Sequence, residues 1–304
     1  MGAPVSRGAS GPRVPGTLGT MDESWRGTAS SPRAHGTTDT ADRPIRLVAT
    51  DLDGTLLGPD GRASPRTVAA LRAAHAAGIR VVAATGRSHR SAGPTLAPIG
   101  VVDRAICSNG AMVVRLDPFE VEAHTPIPAA VAASVIATVR AAIAGAGVGW
   151  EHLGGFGWDP TWLAQRPPTL GEAATGDVDD PPDGTDLTKV LVTHPELTHD
   201  DLLEALGGVL PSTVVPSTSG AAFIEVTVAG ADKGTALAAL CARWGIRADE
   251  VVAVGDHRND LGMLAWAGRG VAMGNAHPEV LALADEVTDG HDADGLAAVV
   301  EGLL

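Results

Sequence analysis

The chain has 304 residues but no tyrosine, three phenylalanines, two cysteines and two lysines. Each scarcity excludes something. Cys107 and Cys241 are too few for a disulfide framework and match no zinc-ligand spacing, so the expectation is two buried free thiols in a reducing compartment. Basic residues number 22 against 36 acidic, a formal charge of −14, which excludes a surface built to grip nucleic-acid phosphates.

Long apolar runs are missing as well. The longest uncharged stretch, 205–224, carries Pro211, Pro216 and the hydroxyls of Ser212, Thr213, Ser217, Thr218 and Ser219, so it cannot be a continuous apolar helix. No secretory-type apolar segment lies in the first 43 residues, and the expected location is the cytoplasm, with no membrane partner. A P-loop, a G-x-S-x-G elbow, a G-x-G-x-x-G loop and internal repeats are also absent.

What is present reads as globular, with 44% apolar and 19% charged residues. At roughly 150 residues per domain the length suggests two domains. Residues 1–43 are different: 22 of the 43 are Gly, Pro, Ser or Thr without apolar periodicity, and they are expected to be a disordered tail. From Arg46 onward, short apolar runs (Arg46–Thr50, Arg80–Ala84, Ala105–Cys107, Val251–Val254, Gly270–Ala272) alternate with helical stretches. Ser64 and Pro65 open one helix and Gly78 closes it; others are expected over 233–244, 260–267 and 293–303. This alternation predicts an α/β fold with a mostly parallel sheet covered on both faces.

The segment 115–222 breaks the rhythm. Val131, Val135, Val139 and Ile143 mark one amphipathic helix, Leu187–Thr193 a strand and Asp200–Leu206 a second helix. Two such strand–helix units predict an inserted α/β domain. Between them, Gly154–Asp186 reads as a solvated loop, and its acidic stretch 177–186 lacks EF-hand spacing. The expected division is therefore a tail 1–43, a core in two parts (44–114 and 223–304) and an insert 115–222.

Chemistry concentrates at strand ends. Asp51 and Asp53 are two residues apart and project to the same side of an extended chain, where a parallel sheet opens its ligand crevice. Adjacent carboxylates with an open position suit Mg²⁺, although Asp and Gly also favour plain turns. Gly255-Asp256-His257-Arg258-Asn259-Asp260 ends a later strand in the same way and can share that cation, cap a helix, or do both. Thr85-Gly86 offers a hydroxyl and an unhindered amide suited to a phosphate oxygen, or a turn. Lys233 and Lys189 stand alone against 20 arginines. A compact ammonium at the start of a helix fits a tight anion site that a guanidinium would overfill, which singles out Lys233. Lys189 is open between structure and substrate contact. Trp150, Trp158 and Trp162 are read first as core of the insert and second as a stacking surface for a substrate ring.

The stretches DLDGTLL (51–57), ATGR (84–87), SNGA (108–111), FIEVTVAGADKG (223–234), GDHRND (255–260) and VAMGNA (271–276), in this order, resemble the haloacid dehalogenase-like phosphatases, in particular the Cof subfamily. His257 departs from the family pattern, in which a small or amide residue is expected. The resemblance implies a Rossmann-like core with an inserted cap, and a phosphatase acting on small phosphate monoesters, sugar phosphates foremost. It implies that Asp51 is the nucleophile, forming an aspartyl-phosphate, and that Asp53 is the general acid and base. Mg²⁺ would be held by Asp51, the Asp53 backbone carbonyl and Asp256, with Asp260 orienting them. The Leu52 amide, Thr85, Gly86, Lys233 and Asn259 would bind the phosphoryl oxygens. The rival readings are a phosphomutase, a receiver-like phosphoacceptor and a non-catalytic phospho-ligand-binding protein. Known phosphomutases of this superfamily place a cap between the first strand and helix, where this chain has only the eleven residues Gly54–Ser64.

Overall fold

The computed structural model describes residues 44–165, 181 and 183–304; the expected tail and part of the acidic stretch 177–186 lie outside them. Leu47–Thr50 (β1), Arg80–Ala84 (β2) and Val102–Cys107 (β3) run parallel, with Pro65–Ala76 (α1) and His89–Leu96 (α2) between them. Ser64 caps α1 by accepting the Thr67 N–H at 3.0 Å, ahead of Pro65. Met112–Arg115 (β4) and Glu120–His124 (β5) then add an antiparallel hairpin to the β3 edge.

The middle of the chain builds a second sheet. It comprises Gly147–His152 (β6), Gly155–Trp158 (β7), Lys189–Thr193 (β8), Val214–Ser217 (β9) and Ile224–Val228 (β10). Its helices are Ala129–Ala142 (α3), Pro160–Gln165 (α4) and His199–Val209 (α5). The chain then returns through Lys233–Arg243 (α6), Val251–Gly255 (β11), Leu261–Trp266 (α7), Arg269–Ala272 (β12), Pro278–Leu283 (α8), Glu286–Val287 (β13) and Gly295–Glu301 (α9). The larger sheet has the order β13-β12-β11-β1-β2-β3-β4-β5, and the smaller one β7-β6-β8-β10-β9. Among the described residues no helix is long and apolar enough to cross a membrane.

All four residues of β1 are buried because helices cover both faces. Val48 packs with Leu71 of α1 and Leu296 and Val300 of α9, whereas Leu47 and Ala49 pack with Leu237 and Leu240 of α6 and Met263 of α7. The smaller sheet is antiparallel and two-faced. Val148, Val190, Val192, Ile224 and Val226 join the α3 and α5 stripes in one apolar cluster. The alternate residues Glu151, Lys189, Leu191 and Glu225 therefore face the other way, toward the larger sheet.

Three expectations need correction. Residues 120–124 are an edge strand of the larger sheet, since a short turn lets them pair at once with β4. Residues 224–228 belong to the smaller sheet; alternation looks the same whichever sheet receives a strand, so the boundary at 222/223 was not legible. The stretch after Gly154 is not all loop, because it contains β7 and α4. Its glycines serve packing: a Cβ on Gly157 would lie 2.3 Å from Trp150 Nε1. Both cysteines are free and buried.

Candidate active site

Strands β1 and β11 are hydrogen-bonded neighbours, and each is followed directly by an aspartate. Their carboxyl ends therefore place Asp51 beside Asp256. Carboxylate oxygens of Asp51, Asp256 and Asp260 all lie within 4.8 Å of one another, and all three residues are buried. Thr55 Oγ1 donates to Asp256 Oδ1 at 2.7 Å. Gly54 has φ +85°, and a Cβ there would sit 2.4 Å from Asp256 Oδ2, so the turn after Asp53 admits only glycine on both counts.

Lys233, at the first turn of α6, is completely buried. Its Nζ donates to Asp51 Oδ1 and to Asp260 Oδ1, each at 2.6 Å. Burial pushes the ammonium toward neutrality, but the two carboxylates outweigh it and hold it firmly charged. The other oxygen of Asp260 accepts the backbone N–H groups of Asp256 and His257, both at 2.9 Å. Asp260 is thus fully used inside the protein. Burial raises the Asp51 carboxyl well above the usual range; Lys233 opposes the shift, and Asp260 and Asp256 add to it. Burial, then Asp260, pushes Asp256 up to about 7, against the Thr55 hydrogen bond.

Asp53 stands at the mouth and is half-exposed. Arg87 grips it with two bonds, Nε to Oδ2 at 2.7 Å and an Nη to Oδ1 at 2.5 Å. Arg87 was not singled out in the sequence; the signal was its place in ATGR, two residues after Thr85. Thr85, directly after β2, is buried, its Oγ1 accepting the Arg87 N–H at 3.0 Å. Leu52 points its side chain into the core behind the two aspartates. Asn259 donates to Asn109 Oδ1 at 3.0 Å, and Asn109 in turn donates to Glu225 Oε2 at 3.0 Å. Asn109, in SNGA, was also missed; its backbone N–H bonds the Thr85 carbonyl at 3.1 Å and its φ is +56°.

The smaller sheet roofs this arrangement. Lys189 Nζ donates to the Gly86 carbonyl and to Glu225 Oε1, each at 2.7 Å, and lies 3.6 Å from Glu151. Ser219 completes the Glu225 carboxylate with a 2.9 Å bond. Lys189 therefore ties the second sheet to the larger one. His257 reaches the same roof, with Nδ1 3.0 Å from the Thr218 carbonyl. Between the sheets lies a cavity of about 670 Å³, in the size range of small-molecule sites. Asp51, Asp53, Thr85, Gly86, Arg87, Asp256 and His257 line one side, and Phe156, Trp158, Trp162, Leu191 and Phe223 line the other.

The haloacid dehalogenase-like hydrolase family model matches residues 48–300. The chain is 33% identical over 258 residues to the HMP-PP phosphatase of Serratia proteamaculans, covering 78% of this chain and 87% of that protein. It is 29% identical over 273 residues to the pyridoxal phosphate phosphatase YbhA of Escherichia coli, covering 84% and 97%. Among solved structures, the phosphatase BT1666 of Bacteroides thetaiotaomicron superposes with a TM-score of 0.72 at 27% identity, over 89% of this chain and 99% of that one. A subclass IIB sugar phosphatase does so with a TM-score of 0.70 at 26% identity, over 86% and 100%. With the acidic cluster at the ends of β1 and β11 and a match running from the first strand to the last helix, the chain belongs to the haloacid dehalogenase-like hydrolases, as a Cof-type phosphatase acting on phosphoric monoesters.

Proposed function

We propose that this protein is a Mg²⁺-dependent phosphatase of small phosphate monoesters that works through an aspartyl-phosphate on Asp51. The observation that carries the reading is the position of Asp51: buried, at the floor of the cavity, with one oxygen held by Lys233 and with Asp53 at the mouth. A fixed carboxylate facing a bound ester is a nucleophile already oriented for attack.

The donor set fits a hard cation. Three buried carboxylates lie together with one ammonium, which pairs with Asp51 and Asp260; among the described residues no cation lies within ion-pair distance of Asp256, whose proton affinity burial, then Asp260, raises. Asp51, Asp256 and the Asp53 carbonyl would hold the ion, while Asp260, saturated by Lys233 and two amides, orients them. When bound, the ion offsets the repulsion between the Asp51 carboxylate and a phosphate dianion.

Asp51 then forms the O–P bond as the bond from phosphorus to the alcohol oxygen breaks, and Asp53 supplies the proton that oxygen needs. Water next attacks phosphorus; Asp53 takes its proton, and Asp51 is released with inorganic phosphate. Arg87 occupies both oxygens of Asp53 here, so their pair opens before Asp53 serves as acid. The hydroxyl of Thr85 and the amide of Gly86 line the phosphate end, and Lys233 and Asn259 support it from behind. Relatives carrying names for HMP-PP, pyridoxal phosphate and sugar phosphatases support a small ester, with sugar phosphates as one candidate class.

The test is phosphate release from p-nitrophenyl phosphate with and without Mg²⁺. Asp51→Asn should abolish it in a protein that still folds, and full activity in that variant would overturn the reading.

A further inference from the structure

Resting on the reading of the cavity as a phosphatase site, we propose that His257 is a positioning residue. Its ring ties the wall that receives the leaving group to the carboxylate cluster that carries the chemistry. His257 is the position at which GDHRND departs from the family pattern, and the reaction steps above do not use it.

The wall concerned is the hairpin loop 218–223 between β9 and β10. It has no strand pairing of its own, because the ladder between those strands closes at the Ser217–Glu225 pair. Ser219, Gly220 and Phe223 of this loop line the cavity together with Asp51, Asp53 and His257. Within the smaller sheet the loop is tied by Ser219, which donates to Glu225, and by Thr218 Oγ1, which accepts the Gly220 N–H at 3.3 Å. Among the described residues, a single hydrogen bond joins it to the larger sheet's side: His257 Nδ1, 3.0 Å from the Thr218 carbonyl. A carbonyl oxygen only accepts, so Nδ1 carries the hydrogen in either charge state of the ring.

The other end of His257 is anchored in the cluster. Its backbone N–H donates to Asp260 Oδ2 at 2.9 Å, and the other oxygen of Asp260 accepts from Lys233. The His277 ring lies beside the imidazole, with centroids 5.8 Å apart. The Cδ2–Nε2 edge lies against Gly220, where a Cβ would come within 3.4 Å of Cδ2 and 3.6 Å of Nε2. His257 therefore spans from the Lys233–Asp260 pair to the loop. A leaving group that meets a wall already fixed avoids the cost of ordering it. The phosphate end is held by other bonds, Asp51 by Lys233 and Thr85 by the Arg87 amide, so the effect falls on binding of the leaving group.

The experiment uses the full chain with His257→Ala, His257→Phe and His257→Asn. Phenylalanine keeps a ring without a donor, whereas the asparagine amide can donate from about the place of Nδ1. Alanine and phenylalanine should each raise KM for p-nitrophenyl phosphate about fivefold, as one lost, partly buried hydrogen bond would give, with kcat falling less than about twofold. Inhibition by inorganic phosphate, which does not reach the loop, should change less than about twofold, and His257→Asn should bring KM back to within about twofold. An unchanged KM in the alanine variant would overturn the inference. So would rescue by phenylalanine, which would make the ring a filler, or a joint loss of kcat and phosphate inhibition, which would place the effect in the carboxylate cluster. Chymotrypsin cleavage after Phe223, followed by mass spectrometry, reads opening of the loop without turnover. It should quicken about fivefold in the alanine and phenylalanine variants and not in the asparagine variant. Equal cleavage in the variants and the unmodified protein would overturn the inference, whereas the expected cleavage pattern in a chain that releases no phosphate from any ester would overturn the phosphatase reading instead.

Discussion

Lys233 and Asp51, far apart in sequence, meet at 2.6 Å at the floor of the cavity, with the lysine completely buried. The ammonium bridges Asp51 to Asp260, and the space around it is closed. Lys233→Arg keeps the charge but brings a larger planar group into that slot. We expect kcat to fall by at least about 100-fold and the melting temperature to drop, since an ill-fitted buried ion pair costs several kcal/mol. Lys233→Met should be worse, leaving two buried carboxylates unpaired. A wild-type rate in the arginine variant would show that the shape of the cation is unimportant.

Magnesium should stabilise the protein as well as activate it. The carboxyls of Asp51 and Asp256 are both raised by burial and by neighbouring carboxylates, so a cation bound only by the folded state relieves repulsion. Protein stripped with a chelator should gain a few degrees in melting temperature on adding MgCl₂, and Asp256→Asn should lose most of that gain. Calorimetry on both proteins decides the matter.

Lys189 is a test of how the two sheets are joined. Lys189→Met leaves Glu225 and Glu151 buried with no cation between them and frees the Gly86 carbonyl. Breaking one partner of a buried pair costs about 3–5 kcal/mol. Adding Glu225→Gln should recover part of this, because it removes one orphaned charge. Chemical denaturation of the single and double variants measures the coupling, and strictly additive losses would contradict it.

Acid stability carries a worked sign. Burial, first of all, lowers His89 and His124 to about 4 from an ordinary value near 6.5. Between those values the unfolded chain binds protons that the folded one does not, so their contribution makes stability rise with pH from about 4 to about 6.5. Asp256, raised to about 7, acts in the opposite sense, stabilising at low pH and losing that effect as pH climbs toward 7. The histidine effect is therefore read as a difference: His89→Phe, which can keep the stack on Phe119, should flatten the slope of stability between pH 4 and 6.5 relative to the unmodified protein. An unchanged slope would mean that His89 titrates normally.

Local order made much of the core readable. Apolar runs ending in Asp51, Thr85 and Asp256 are buried strands because helices cover both faces of the sheet, and that burial leaves a four- or five-residue signature in the sequence. The Ser64–Pro65 helix start is equally local. The smaller sheet was harder. Its β7 strand is written Gly-Phe-Gly-Trp, which looks like a loop until the tryptophans that need those glycines are in place. Arg87 and Asn109 sat inside quoted motifs, yet their roles depend on Asp53 and Glu225, which come from other parts of the chain.

Residue type and spacing alone determined the parallel core, the strand-end aspartates and the singular lysine at the head of α6, because each follows from short-range periodicity or from chemistry written in a few neighbouring residues. Only tertiary structure decided that Lys233 serves two carboxylates, that Lys189 fastens one sheet to the other, and that the scarce aromatics turn toward the cavity. Those outcomes depend on which strand ends lie side by side and which face of a sheet looks inward, and two-residue alternation reads the same in either direction.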